Sequence, residues 1–293
     1  MAHIALIGPG AIGCTVLAHL SRDAGHELVV AARTPFAQIT VETPLDTIAF
    51  TPRVLTDPDQ ALPVDWVLVA VKTYDTAAAA TWLRGFIGPT TRVAVLQNGV
   101  EHRSRFAGLV ADDALVPVII DCPCERAAPG IVRQRGPGRQ VVPNTPAGTA
   151  YAALFRGTAI HTETTDDWIS AAWKKLCINS PGAVSALLLQ PAGCSRDDAV
   201  AELMCGMIRE VIAVGRAEGA ALDDALVEQF ITGIRNAPPD ALNSIHADRL
   251  ANRPMEYDAR NGVVARLAKK HGLAAPLNAM AATLLGAAER ASR

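Results

Sequence analysis

The chain has 293 residues, 50% of them apolar and 19% charged, enough to bury the core of two domains rather than one. Its formal net charge of −2, from 27 Lys+Arg against 29 Asp+Glu, offers no overall field to nucleic acid or to an anionic membrane, so small-molecule chemistry leads. The N-terminus runs straight into "HIALIGPG" with no basic stretch and no long apolar run, so the expectation is a cytoplasmic protein without a signal or transmembrane segment.

In chain order, "HIALIG", "ELVVAA", "DWVLVAVK", "TRVAVLQNG" and "LVPVII" read as strands, and their near-continuous apolar character suits a parallel sheet covered on both faces. Helices are expected after Gly10, after Thr73 in "YDTAAAATWLRGF", and after Val100 in "EHRSRFAGLV". A further pair of strands, "GIVRQR" and "GRQVVP", is expected to join through "GPG" as a hairpin-like turn. From about Asp166 the period becomes helical in "WISAAWKKLCINS", "RDDAVAELMCGMIREVIAVGRAEG", "DALVEQFITGIRN" and "YDARNGVVARLAKKHG", with Gly219 and Gly272 at expected C-caps. The apolar stripe from Met204 to Val214 is read as core in preference to a dimer face. The expected architecture is a doubly wound α/β domain over residues 1–165 followed by an all-α domain over 166–293.

In "GPGAIG" the glycines Gly8, Gly10 and Gly13 follow a strand and open a helix, the context in which GxGxxG marks a Rossmann-type dinucleotide site. Gly8 permits the tight turn, Gly10 lets a pyrophosphate approach the backbone, and Gly13 lets the helix pack on the strand. The helix start at Ala11, Ile12 and Gly13 presents N–H groups to the anion. A plain strand-turn-helix is the bland alternative. After the second strand, "LVVAARTPF" has no acid between Leu28 and Phe36 to take a ribose hydroxyl, and Arg33 fits the 2′-phosphate of NADP(H). Taken alone, Arg33 could equally be a solvated loop residue.

Lys72 in "AVKTYD" and Asn98 in "LQNGV" end neighbouring strands, where ligands of open α/β sheets bind. The alternatives are a surface charge and an Asn-Gly turn residue. In "WKKLCIN", Lys174 and Lys175 stand about 100° apart on a helix, so one can face inward while the other stays in water. Lys175 shares a face with Asn179. Further on, Ser244 precedes Asp248 by four residues, and Glu256 follows Pro254 near a helix start, where the dipole favours a carboxylate. Each of these is also compatible with an ordinary solvated or capping residue. Six cysteines, at 14, 122, 124, 177, 194 and 205, lack CxxC spacing and read as free thiols. Cys122-Pro123-Cys124 is read as two thiols at a strand end, and no metal site is expected.

The pieces "GPGAIG", "AART", "VKTYD", "QNGV", "WKKLCIN", "NSIHADRLANRPMEYDARNG" and "AKKHGLAAPLNAM" span nearly the whole chain, and in order and spacing they resemble the ketopantoate reductases. The resemblance implies NADPH-dependent reduction of 2-dehydropantoate, with Lys175 as the acid and Asn98 and Lys72 beside nicotinamide and substrate. It implies further that Asn179 and Ser244 hold the substrate, while Glu256 binds its hydroxyl or orders the site. The chain departs from the family in having Gly182, Ala183 and Val184 where a second asparagine is common. Another 2-keto or 2-hydroxy acid therefore stays open as substrate, as does a non-catalytic NADP(H) sensor. The expected partner is a small 2-keto acid acting on a monomer or homodimer, with no nucleic acid and no membrane.

Overall fold

The structure is a computed structural model that describes residues 1–23 and 25–291. The chain forms two compact units, Met1–Trp168 and the chain from Ile169 onward.

The first unit begins with β1 (Ala2–Ile7), α1 (Ala11–Leu20), β2 (His26–Ala31), β3 (Ile39–Glu42), β4 (Thr47–Phe50) and β5 (Arg53–Leu55). It continues through β6 (Trp66–Val69), α2 (Thr76–Phe86), β7 (Arg92–Val95), the single turn α3 (His102–Arg105) and β8 (Leu115–Pro117). Six of these strands form one sheet in the order β5-β2-β1-β6-β7-β8, parallel throughout. The direction of the strand order reverses between β1 and β6, and crevices at such switch points receive ligands in doubly wound sheets. Alternate residues of β1 enter different cores. Ile4 and Leu6 pack with Leu17 and Leu20 of α1, while Ala5 and Ile7 pack with Leu83 and Phe86 of α2. Both faces are therefore covered, which is why these strands read as unbroken apolar runs.

The rest of the unit comprises β9 (Ile119–Asp121), β10 (Cys124–Ala128), β11 (Ile131–Gln134), β12 (Gly138–Pro143), α4 (Pro146–Leu154) and β13 (Ile160–Thr165). They build two small sheets, β10-β11-β3-β4 and β13-β12-β9. This corrects the expected hairpin: β11 and β12 are both strands, but they do not pair. Both edges of β11 are taken by β10 and β3, and both edges of β12 by β9 and β13. The "GPG" segment carries the chain from one sheet to the other, anchored where Arg135 N donates to the Pro123 carbonyl at 2.7 Å.

The second unit is helical: α5 (Trp168–Asn179), α6 (Gly182–Leu188), α7 (Asp198–Ala217), α8 (Ala225–Arg235) and α9 (Ser244–Leu250). A π-helical turn at Asp258–Gly262 then leads into α10 (Val263–Lys270), and α11 (Pro276–Ala291) follows. Gly219 and Gly272 close α7 and α10 with φ of 93° and 67°, the left-handed conformation that a glycine C-cap supplies. Met204, Met207, Ile208, Val211 and Val214 are buried, so the stripe on α7 is core. Among the described residues no helix is long and apolar enough to cross a membrane.

Candidate active site

The three glycines of the first loop have three different surroundings. Gly8 has φ of +97°, and a Cβ there would lie 2.6 Å from Val71 N and 2.8 Å from Ala70 C, both backbone atoms at the end of β6. Gly13 faces the Gly8 carbonyl oxygen, Leu6 Cδ1 at 2.9 Å and Ala70 Cβ at 3.1 Å, so any side chain would push α1 off the sheet. Gly10 faces nothing within 4 Å among the described residues. Two of the glycines are thus required by the protein's own packing, whereas the third borders open space. Gly10 is also the N-cap of α1, with no side-chain cap and no acid in the first turn. The helix start at Ala11, Ile12 and Gly13 consequently turns backbone donors and the positive dipole end toward that space.

Arg33 lies two residues beyond β2 with its side chain 90% exposed, 3.9 Å from the Asp75 carboxylate. A contact that long and that wet is weak, so the guanidinium can turn to another anion at little cost. Lys72 and Asn98 occupy equivalent places: β6 and β7 pair in parallel with Val69 opposite Val95, and three more residues along each strand reach Lys72 and Asn98. The turns carrying them are tied together. Gln97 donates through Nε2 to Thr76 Oγ1 at 2.9 Å, Arg105 donates to the Asn98 carbonyl at 3.0 Å, and His102 Nε2 contacts the Gln97 carbonyl at 2.7 Å. A carbonyl only accepts, so Nε2 carries the proton of the neutral imidazole. Burial, with the Arg105 charge nearby, brings the His102 ring down to about 4, against the pull of the Gln97 carbonyl.

In the helical unit, Lys174 is exposed and Lys175 is half-buried, as a helix that turns one neighbour outward requires. Asn179 ends the same helix, one turn on from Lys175. The next residue, Ser180, is fully buried and accepts at its carbonyl from Asn261 Nδ2 at 3.1 Å. Asn261 belongs to the π-helical turn, and its neighbour Arg260 donates from Nη2 to Ser244 Oγ at 2.5 Å. The fold therefore links the ends of α5 and α9 through one turn, with Glu256 buried just ahead of it. Arg260 is 3% exposed, and burial pulls its guanidinium below the ordinary value, against the Glu256 and Asp248 carboxylates that hold the charge on.

Residues 4–147 match the family model described as "Ketopantoate reductase PanE/ApbA", and residues 167–289 match its C-terminal counterpart. A 2-dehydropantoate 2-reductase of Caulobacter vibrioides is 52% identical over 288 residues, covering 98% of this chain and 99% of the relative. This chain belongs to the ketopantoate reductase family. A 2-dehydropantoate 2-reductase of Mycobacterium tuberculosis is 41% identical with 97% of each chain covered. The crystal structure of a PanE/ApbA family ketopantoate reductase from Ralstonia eutropha superposes with a TM-score of 0.91 at 30% identity, covering 99% of both chains.

One feature of this ketopantoate reductase family member escapes a reading of its sequence. Arg260 looks like any surface arginine of a helical stretch, and only the π-helical turn carries it inward to Ser244. At Gly182 a Cβ would lie 3.0 Å from Asn243 Nδ2, which donates to the Gly182 carbonyl at 3.2 Å. Asn243 is the N-cap of α9, and its Oδ1 accepts from His246 N at 3.0 Å. All six cysteines are free thiols. Cys122 and Cys124 hydrogen-bond each other, which holds the Cys124 thiol below its ordinary value despite burial, with help from Thr15 and the Lys72 charge, and pushes Cys122 up. Burial, opposed by the Arg126 charge and helped by Cys124, carries Cys14 up to about 12. Among the described residues no group of three His, Cys, Asp or Glu side chains could hold a metal ion.

Proposed function

We propose that the protein reduces a 2-keto acid with NADPH and that this acid is 2-dehydropantoate, reduced to pantoate. The observation that carries the reading is Gly10, whose absent side chain borders open space at an uncapped helix start beside the switch point of the sheet. That cradle suits a pyrophosphate, and a side chain on Gly10 would fill it. Arg33, exposed past β2 with no acid between Leu28 and Phe36, suits a 2′-phosphate, which a carboxylate there would repel. The common name of the relatives supports the substrate.

Bound NADPH supplies a hydride to the ketone carbon. The chain's own residues handle position, charge and the proton. Lys175 gives an ammonium proton to the oxygen that becomes the new hydroxyl, and its charge stabilises that oxygen beforehand, general-acid help worth roughly 10²–10⁴-fold. Lys72 and Asn98 stand at the ends of β6 and β7 and orient nicotinamide and ketone. Asn179 and Ser244 hold the substrate, and Glu256 accepts a hydrogen bond from its hydroxyl.

The test is steady-state kcat/KM for 2-dehydropantoate and for 2-ketoisovalerate, each with NADPH and with NADH. Preference for the first acid and for NADPH is expected. Glu256→Ala should lower kcat/KM for 2-dehydropantoate by about tenfold or more, the cost of removing one charged hydrogen-bond partner, and should affect 2-ketoisovalerate far less. Turnover of neither acid, or a preference for 2-ketoisovalerate, overturns the substrate. Equal use of NADH overturns the role of Arg33.

A further inference from the structure

Behind Ser244 and Glu256 lies a side chain that the reaction as described does not use. Arg260 is buried, yet it comes from a π-helical turn, a local distortion that shifts side-chain directions relative to a regular helix and is frequent at functional sites. Its Nη2 donates to Ser244 Oγ at 2.5 Å, whereas its Nε makes no hydrogen bond among the described residues. An arginine kept only for structure would be expected to have its buried donors satisfied. The carboxylates of Glu256 and Asp248 both act on its charge. Asp248 is also held from outside by Arg253, whose Nε donates to Oδ1 at 3.0 Å, so Asp248 has a second cation.

We propose that Arg260 is the positioning residue of the substrate pocket, setting Ser244 as a hydrogen-bond donor and Glu256 as an acceptor. The inference rests on the substrate reading above. An arginine has donors and no acceptor, so Ser244 Oγ must accept from Arg260. The single hydroxyl proton of Ser244 is then directed elsewhere, and Ser244 is exposed where Arg260 is not. A donor backed by a buried cation suits the carboxylate or ketone oxygen of a keto acid. Glu256, buried four residues before Arg260, acts on the same cation and supplies a carboxylate acceptor for a substrate hydroxyl. One guanidinium thus serves two neighbouring groups with opposite hydrogen-bonding roles, matching a substrate with an anionic end and a hydroxyl end.

The experiment measures KM and kcat for 2-dehydropantoate at saturating NADPH, with NADPH affinity and the melting temperature as controls, in Arg260→Met, Arg260→Lys, Ser244→Ala and the two double variants. Arg260→Met is expected to raise the KM for the acid roughly tenfold or more, the scale of one charge-assisted hydrogen bond, and to leave NADPH affinity within about twofold. Arg260→Lys keeps a charge and donors and should recover part of that loss. In the Ser244→Ala background either change at 260 should cost less than it does alone, because one of its two targets is gone. Removing a buried cation beside two carboxylates can unfold a protein. If Arg260→Met does not fold, Arg260→Lys with and without Ser244→Ala decides. The same KM penalty in both backgrounds, or a KM unchanged in a folded variant, overturns the inference. Failure of the wild type to reduce 2-dehydropantoate overturns the substrate reading instead.

Discussion

The glycine loop allows packing and ligand binding to be separated by single methyl groups. Gly10→Ala adds a Cβ that meets no atom of the described residues within 4 Å, at a backbone of φ −84° and ψ −169° that alanine adopts readily. The folding cost is then only the weaker N-cap preference of alanine, about 0.5 kcal/mol, or roughly 1–2 °C in melting temperature for a unit of this size. Gly13→Ala must displace the Gly8 carbonyl or Leu6, an overpacking cost of about 1–3 kcal/mol that lowers the melting temperature by several degrees. Gly8→Ala adds left-handed strain of about 1–2 kcal/mol to two backbone contacts under 3 Å. Cofactor binding should rank these variants differently. A methyl on Gly10 holds the pyrophosphate off the N–H groups of Ala11, Ile12 and Gly13, and losing one charge-assisted hydrogen bond there, at about 1.5–3 kcal/mol, weakens NADPH roughly 10- to 100-fold. Thermal melts without cofactor and calorimetric titration with NADPH give both quantities. A Gly10→Ala protein that binds NADPH like the wild type, or that melts as low as Gly13→Ala, refutes the assignment of the open space to the phosphates.

Two further outcomes follow from the geometry. Lys175→Ala should lose most of kcat while still binding NADPH, and the exposed Lys174 should tolerate the same change; the reverse pattern in single-turnover kinetics would mean that the wrong face of α5 has been assigned. His102 is held neutral down to about 4 in the fold but protonates near its ordinary 6.5 when unfolded, so the unfolded chain binds the extra proton between those values and stability falls as pH drops through that window. His102→Gln should flatten this part of the melting temperature against pH, and curves that stay parallel to the wild type from pH 6.5 to 4 would exclude His102 as the source.

The sequence by itself determines the parallel sheet, the glycine loop and the helical second half, because each rests on a local period or on a backbone requirement. Unbroken apolar strands need two covered faces, "GPGAIG" needs glycine for steric reasons, and Lys174 and Lys175 diverge because a helix turns about 100° per residue. The tertiary structure alone decides which strand edges meet. β11 and β12 are adjacent in the chain and look like a hairpin, yet β3, β9, β10 and β13 take their edges, a competition among distant segments that no local pattern records. β3, β4 and β5 are only three or four residues long, too short to show a period, and exist because neighbouring strands complete their hydrogen bonds. Within the site, Gly8, Gly10 and Gly13 look alike as letters and differ only in what surrounds them. Arg260 shows the same limit: its charge predicts a solvated side chain, and the π-helical turn places it beneath Ser244, where two carboxylates offset the cost of burying it.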